Sequence, residues 1–118
     1  MGTTGTGKFT ADTTLGCLAS SERWKRNIQP LESTIDEVMA LRPVTYEWRD
    51  PIGDSQKGQH IGLVAEDVYG LDRRLAGLGD DGQPRAWRQD AMIAALVRAV
   101  QELKVDNDNL KDELKRMR

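Results

Sequence analysis

Residues 90–118 read DAMIAALVRAVQELKVDNDNLKDELKRMR, and their spacing decides the architecture. Ile93, Leu96, Val100, Leu103, Leu110, Leu114 and Met117 follow one another in steps of three and four once Asn107 fills the missing place. That is a heptad pattern, with Ile93, Val100, Asn107 and Leu114 at a and Leu96, Leu103, Leu110 and Met117 at d. A helix that meets only its own domain carries a wider apolar face. The narrow seam therefore predicts a coiled coil between copies of the chain. A single Asn at an a position fixes register at some cost in stability. Lys104, Lys111 and Arg118 fall at e, and Asp106 and Glu113 at g. In a parallel assembly Asp106 reaches Lys111 of the next chain, and Glu113 reaches Arg118. The heptads alone leave dimer and trimer open. Asp90 is the expected N-cap. Early in the helix Val97 and Ala99 widen the stripe, which fits docking on the domain or a bundle of more than two strands.

Working back from the helix, the chain alternates short helical and extended signals. Ser33 or Thr34 is an N-cap for a short helix running to about Leu41, where Pro43 bars its continuation. Val44, Tyr46 and Trp48 alternate with Thr45, Glu47 and Arg49, the period of a half-buried strand. A loop over residues 50–59 leads to a second strand, residues 60–64, expected to pair with the first. Residues 65–69 read as a short helix. Asp80-Asp81-Gly82 is a turn signal before an extended stretch around residues 85–87. Residues 1–19 are rich in Gly and Thr and read as extended or disordered. The expected class is α+β: a small β-containing domain with short helices, followed by the long helix. The expected divisions are residues 1–19, 20–90 and 91–118.

Composition narrows the function classes. The 118 residues are 38% hydrophobic and 31% charged, with a net charge of −2. No global field favours nucleic acid or an anionic membrane. There is no apolar run of membrane-spanning length. Cys17 and His60 are the one cysteine and the one histidine, far apart in sequence, which makes a poor zinc site. No cofactor and no metal are expected. Trp24, between Arg23 and Lys25, is read as a packed residue, the basic stretch being too short for nucleic acid. Glu66 and Asp67 are adjacent and so face different ways, which argues against a paired acid–base role.

One constellation bears chemistry. Ser20 and Ser21 precede Lys25 by five and four residues. A lysine serves as base for a serine nucleophile when burial or neighbouring positive charge favours its neutral form. Arg23 and Arg26 supply such charge. The nearest peptide bond to Ser20 is its own, Ala19–Ser20. On spacing alone the signal is weak, because serines near lysines are common.

Four blocks, in order, give that pair a context. Ser20-Ser21-Glu22-Arg23-Trp24-Lys25-Arg26-Asn27-Ile28 resembles the Ser-Asp-x-Arg-x-Lys-x-Asn-Ile opening of a family of C-terminal intramolecular chaperone domains. These self-cleaving serine peptidase domains occur in phage endosialidases, tail spikes and tail fibres, and in myelin regulatory factor. Leu41-Arg42-Pro43-Val44-Thr45-Tyr46-Glu47-Trp48 resembles the family's Leu-Arg-Pro-Val-x-aromatic strand. Residues 60–68 resemble its Gly-Phe-Ile-Ala-Gln-Glu-Val segment, and residues 92–103 the start of its terminal helix.

The resemblance implies a domain that trimerises and helps an upstream β-rich stem to fold. It then cuts itself away, leaving the stem kinetically trapped. It implies Ser20 as nucleophile, Lys25 as base, and a cut between Ala19 and Ser20, with residues 1–19 the end of the stem. The implied partners are two further copies and the stem of the same polypeptide, with neither nucleic acid nor membrane. The implied setting is the host cytoplasm during assembly of a tail fibre or spike precursor, the released domain being absent from the virion or loosely held by it. The sequence departs from the pattern at Ser21, where the family has Asp. Two alternatives follow: a non-cleaving trimerisation module kept as a fibre tip, or a receptor-binding tip using loops at residues 50–59 or 71–84.

Overall fold

The computed structural model describes residues 20–118. Cys17, Ala19 and the expected stem end at residues 1–19 lie outside the described residues. The chain divides into two compact units, Met1–Pro30 and Leu31–Arg118.

The second unit is α+β. Its elements are α1 (Ile35–Ala40), β1 (Val44–Tyr46), β2 (His60–Gly62), α2 (Ala65–Leu71), β3 (Ala76–Leu78), β4 (Pro84–Trp87) and α3 (Gln89–Arg116), with short 3-10 turns at Asp54–Gln56 and Arg73–Leu75. The strands form two separate antiparallel pairs, β1 with β2 and β3 with β4.

Pro43 disfavours a helical Arg42 and so ends α1; Val44, Thr45 and Tyr46 are the branched and aromatic residues that suit a pleated surface. Val44 faces Gly62, Thr45 faces Ile61 and Tyr46 faces His60. Tyr46 and His60 stack across the pair with centroids 5.5 Å apart. A Cβ at Gly62 would stand 3.1 Å from Tyr46 Cε1, so glycine there makes room for the ring. The expected half-burial of this strand is weaker than its alternation suggests: Tyr46 and Trp48 are both exposed. The two strands are also shorter than expected, three residues each.

The second hairpin was only half visible in the sequence. Ala76-Gly77-Leu78 has little strand propensity, yet it pairs with residues 84–87 through an irregularity between Gly77 and Leu78. The expected turn sits between the strands. Gly82, at φ +80°, occupies the left-handed region that favours glycine. Its amide donates to Gly79 O at 3.0 Å, and Asp81 Oδ1 accepts from the Gln83 amide at 3.0 Å. The span 71–84, expected to be an exposed loop, therefore contributes to the core: Leu75 and Ala76 are buried.

That core is small. Val68, Leu75, Ala76, Met92 and Ala95 form it, with Val38, Leu41, Leu63, Tyr69, Trp87 and Ala91 packed around. α3 starts one residue before the expected cap. Arg88 holds the N-cap position without a side-chain bond to the helix's own amides, and Asp90 lies in the first turn, where its charge suits the helix dipole. Arg88 is tied instead to the hairpin, its amide donating to Leu75 O at 2.7 Å and its Nε to Ala76 O at 3.2 Å.

Candidate functional site

In its described part the unit containing Ser20 forms a turn. Ser21 is extended (φ −66°, ψ 142°) and caps a 3-10 turn at Glu22–Trp24. Its Oγ accepts from the Arg23 amide at 3.3 Å. The Trp24 amide donates to Ser21 O at 3.0 Å and the Lys25 amide to Glu22 O at 3.1 Å. Such a turn shortens the chain between residues 20 and 25, and the side chains of those two residues meet. Lys25 Nζ donates to Ser20 Oγ at 2.8 Å. Ser21, the nearer residue in the more familiar one-turn spacing, is occupied with capping.

Asn27 is the one described non-glycine residue at positive φ, +55°. Asn tolerates this left-handed conformation better than most residues. Arg23 lies over the Trp24 ring, 5.5 Å from its centroid. Ser20 and Lys25 are both exposed in the single chain. A lysine must be neutral to take a proton, and burial is one route to that state. The scissile bond expected at Ala19–Ser20 falls outside the described residues.

The second candidate site is the expected seam. Ile93, Leu96, Val100, Leu103, Leu110 and Leu114 stand 42–63% exposed along α3. Asn107 is exposed among them. α3 docks on its own domain through a different face, on which Met92, Ala95 and Ala99 are each 3% exposed. Polar ties finish that docking. Arg98 Nε donates to Leu31 O at 3.1 Å. Glu102 accepts from Ser33 Oγ and from the Thr34 amide at 3.0 Å. The carboxylate thus sits at the N-terminus of α1, where backbone amides and the helix dipole favour negative charge. The Ser33 hydroxyl, followed by the Thr34 amide, holds the Glu102 carboxyl below its ordinary range.

Thr34 does hold the N-cap position of α1, as expected, but its side chain makes no cap bond. It is buried, and its hydroxyl donates to Ala95 O at 2.7 Å. The capping oxygen comes from α3, 68 residues away, beyond the reach of any local motif.

Other charges tie loops together. Arg74 bridges Asp72, at 2.8 Å, and Glu32. Both carboxyls are held below their ordinary range, chiefly by hydrogen bonds from Arg74. Arg42, from the Leu-Arg-Pro block, reaches Asp67, from the residue 60–68 block, at 3.0 Å. Among the described residues no group of His, Cys, Asp and Glu could hold a metal ion, and no helix is long and apolar enough to cross a membrane.

Comparison with known proteins adds one finding. Residues 20–71 match the family model described as chaperone of endosialidase, a family that also carries a peptidase designation. The match begins at Ser20 and ends at the last residue of α2. No curated protein matches the chain.

Proposed function

We propose, from the match of residues 20–71 to the family model described as chaperone of endosialidase, that this chain is an intramolecular chaperone which trimerises and then releases itself by one cut. Three copies would join through the exposed face of α3 and bring three upstream stems into register. The observation that carries the cleavage reading is the 2.8 Å contact between Lys25 Nζ and Ser20 Oγ. It sits at the first residue of the family match.

The chemistry is an acyl transfer within the chain. Neutral Lys25 takes the Ser20 hydroxyl proton as Oγ attacks the Ala19 carbonyl carbon. The C–N bond breaks, and the Ser20 nitrogen takes the proton back from Lys25. The resulting ester is hydrolysed by one water. The products are a carboxylate at Ala19 and a free amine at Ser20. The exposure of both side chains supports a dependence on assembly. Neighbouring chains or the stem would supply the burial that makes Lys25 a base, so that cutting follows trimerisation. This order suits a chaperone, because the guide leaves only after the stems are aligned. The setting would be the host cytoplasm, in a tail fibre or spike precursor.

The same exposure favours one second reading, a trimerisation module that stays attached as a fibre tip. Intact mass followed over hours separates the two. The cleaving reading expects loss of residues 1–19 and a new N-terminus at Ser20, in the parent chain and never in Ser20→Ala. A Ser20→Ala protein cut at the same bond would overturn the assigned nucleophile, and an uncut parent trimer would support the permanent tip.

A further inference from the structure

Resting on that cleavage reading, we infer that Ser21 and Asn27 are positioning residues which hold Ser20 and Lys25 together through the backbone. Each acts by a different device. Ser21 caps the 3-10 turn at Glu22–Trp24, satisfying the Arg23 amide with its Oγ. Asn27 turns the chain at φ +55° directly after Arg26. Between these two points lie the turn and Lys25, whose ammonium meets Ser20 Oγ. The contact spans five residues, which is not the i, i+3 or i, i+4 spacing that brings side chains together on a regular helix. A tight turn of defined length has to set it.

This gives the departure at residue 21 a physical meaning. Asp, Ser and Asn are all strong N-capping residues, because each offers an oxygen to the next-but-one amide. Ser21 can therefore do by capping what an acid would do at that place, without adding a carboxylate there. Were the negative charge itself required, Ser21 would be a defect. Were capping required, Ser21 is a substitute.

The two accounts part on a neutral cap. The cleavage rate, measured by intact mass across a range of pH, is expected to fall about 5-fold in Ser21→Ala, the effect of a lost cap on a marginal turn. Ser21→Asn is expected to restore the rate, with the pH midpoint unmoved throughout. Asn27→Ala is expected to slow cutting and Asn27→Gly to restore it, since glycine enters the left-handed region freely. Parent-like cutting by Ser21→Ala, or restoration by Ser21→Asp and not by Ser21→Asn, would overturn the inference. So would equal rates in Asn27→Ala and Asn27→Gly.

A readout independent of cutting keeps the inference separate from the reading beneath it. In the Ser20→Ala chain, hydrogen exchange at the Arg23 amide is expected to be slow and to quicken when Ser21→Ala is added. An uncut parent with that pattern would sink the cleavage reading and leave the cap standing. Equal exchange in the two chains would remove the cap whether or not the parent cuts.

Discussion

The two faces of α3 use different side chains for different ends. Toward its own domain the helix offers Met92, Ala95 and Ala99, each 3% exposed, and closes the contact with Arg98 and Glu102. Toward solvent it offers larger residues, Ile93, Leu96, Val100, Leu103, Leu110 and Leu114, none less than 42% exposed. Small residues let the helix approach the domain closely, and the domain supplies the bulk through Val68 and Leu75. Large residues left outside at heptad spacing have nothing among the described residues of their unit to bury them. Fully burying one Val, Leu or Ile is worth about 1.5–3 kcal/mol, so leaving six such residues in water forgoes much stability for a core this small. The contrast teaches that hydrophobic spacing and hydrophobic burial need not coincide. One stripe makes the fold, and the other is available for assembly.

Changes on each face should separate these roles. The largest effect is expected from Leu103→Asp. A charge in the seam should abolish association on light scattering while far-ultraviolet circular dichroism remains that of the folded domain. It should also stop cutting, if burial by neighbouring chains activates Lys25. Ala95→Leu comes next, on the opposite face. It overfills a buried position whose carbonyl already accepts from Thr34, and should cost about 1–3 kcal/mol in denaturant unfolding.

A smaller change is expected from Asn107→Ile. An apolar residue at this a position should raise the melting temperature of the assembly and loosen its register or strand number, read by sedimentation. The smallest concerns Glu102→Gln at the tie between α3 and α1. The Glu102 carboxyl is held below its ordinary range by Ser33 and Thr34. Its contribution is therefore present above the unfolded carboxyl's pKa and lost as pH falls through the lower folded one. The parent should lose stability across that acid window, and Glu102→Gln should lose less, by thermal melts between neutral and acid pH. Asp72 and Glu32 carry the same sign through Arg74, so a slope should remain.

Much of the fold was legible because local signals agreed with the tertiary ones. Pro43 ended a helix, alternation marked β1, and the heptads marked α3. β3 was hidden because Ala76-Gly77-Leu78 has neither branching nor alternation, and it forms only against β4. The cap of α1 was hidden because its oxygen comes from Glu102, far along the chain. The docked face of α3 was masked by its own chemistry. Ala99, expected to widen the stripe toward the domain, is buried, Val97, expected with it, is exposed, and Ala95 drew no notice beside the leucines though it is as buried as Ala99. At the candidate site, residues 20 and 25 were picked out by spacing and resemblance, and their side chains do meet. The roles of Ser21 and Asn27 were not legible, because a 3-10 cap and a left-handed asparagine leave no periodic trace.

The claim that joins these observations is that the exposed face of α3 binds other copies of the chain. Its most direct test is the molar mass in solution of the Ser20→Ala protein, kept whole by the substitution, measured by sedimentation equilibrium over a range of concentrations. The account predicts about three times the 13.2 kDa of one chain. A mass of one chain at every concentration would contradict it.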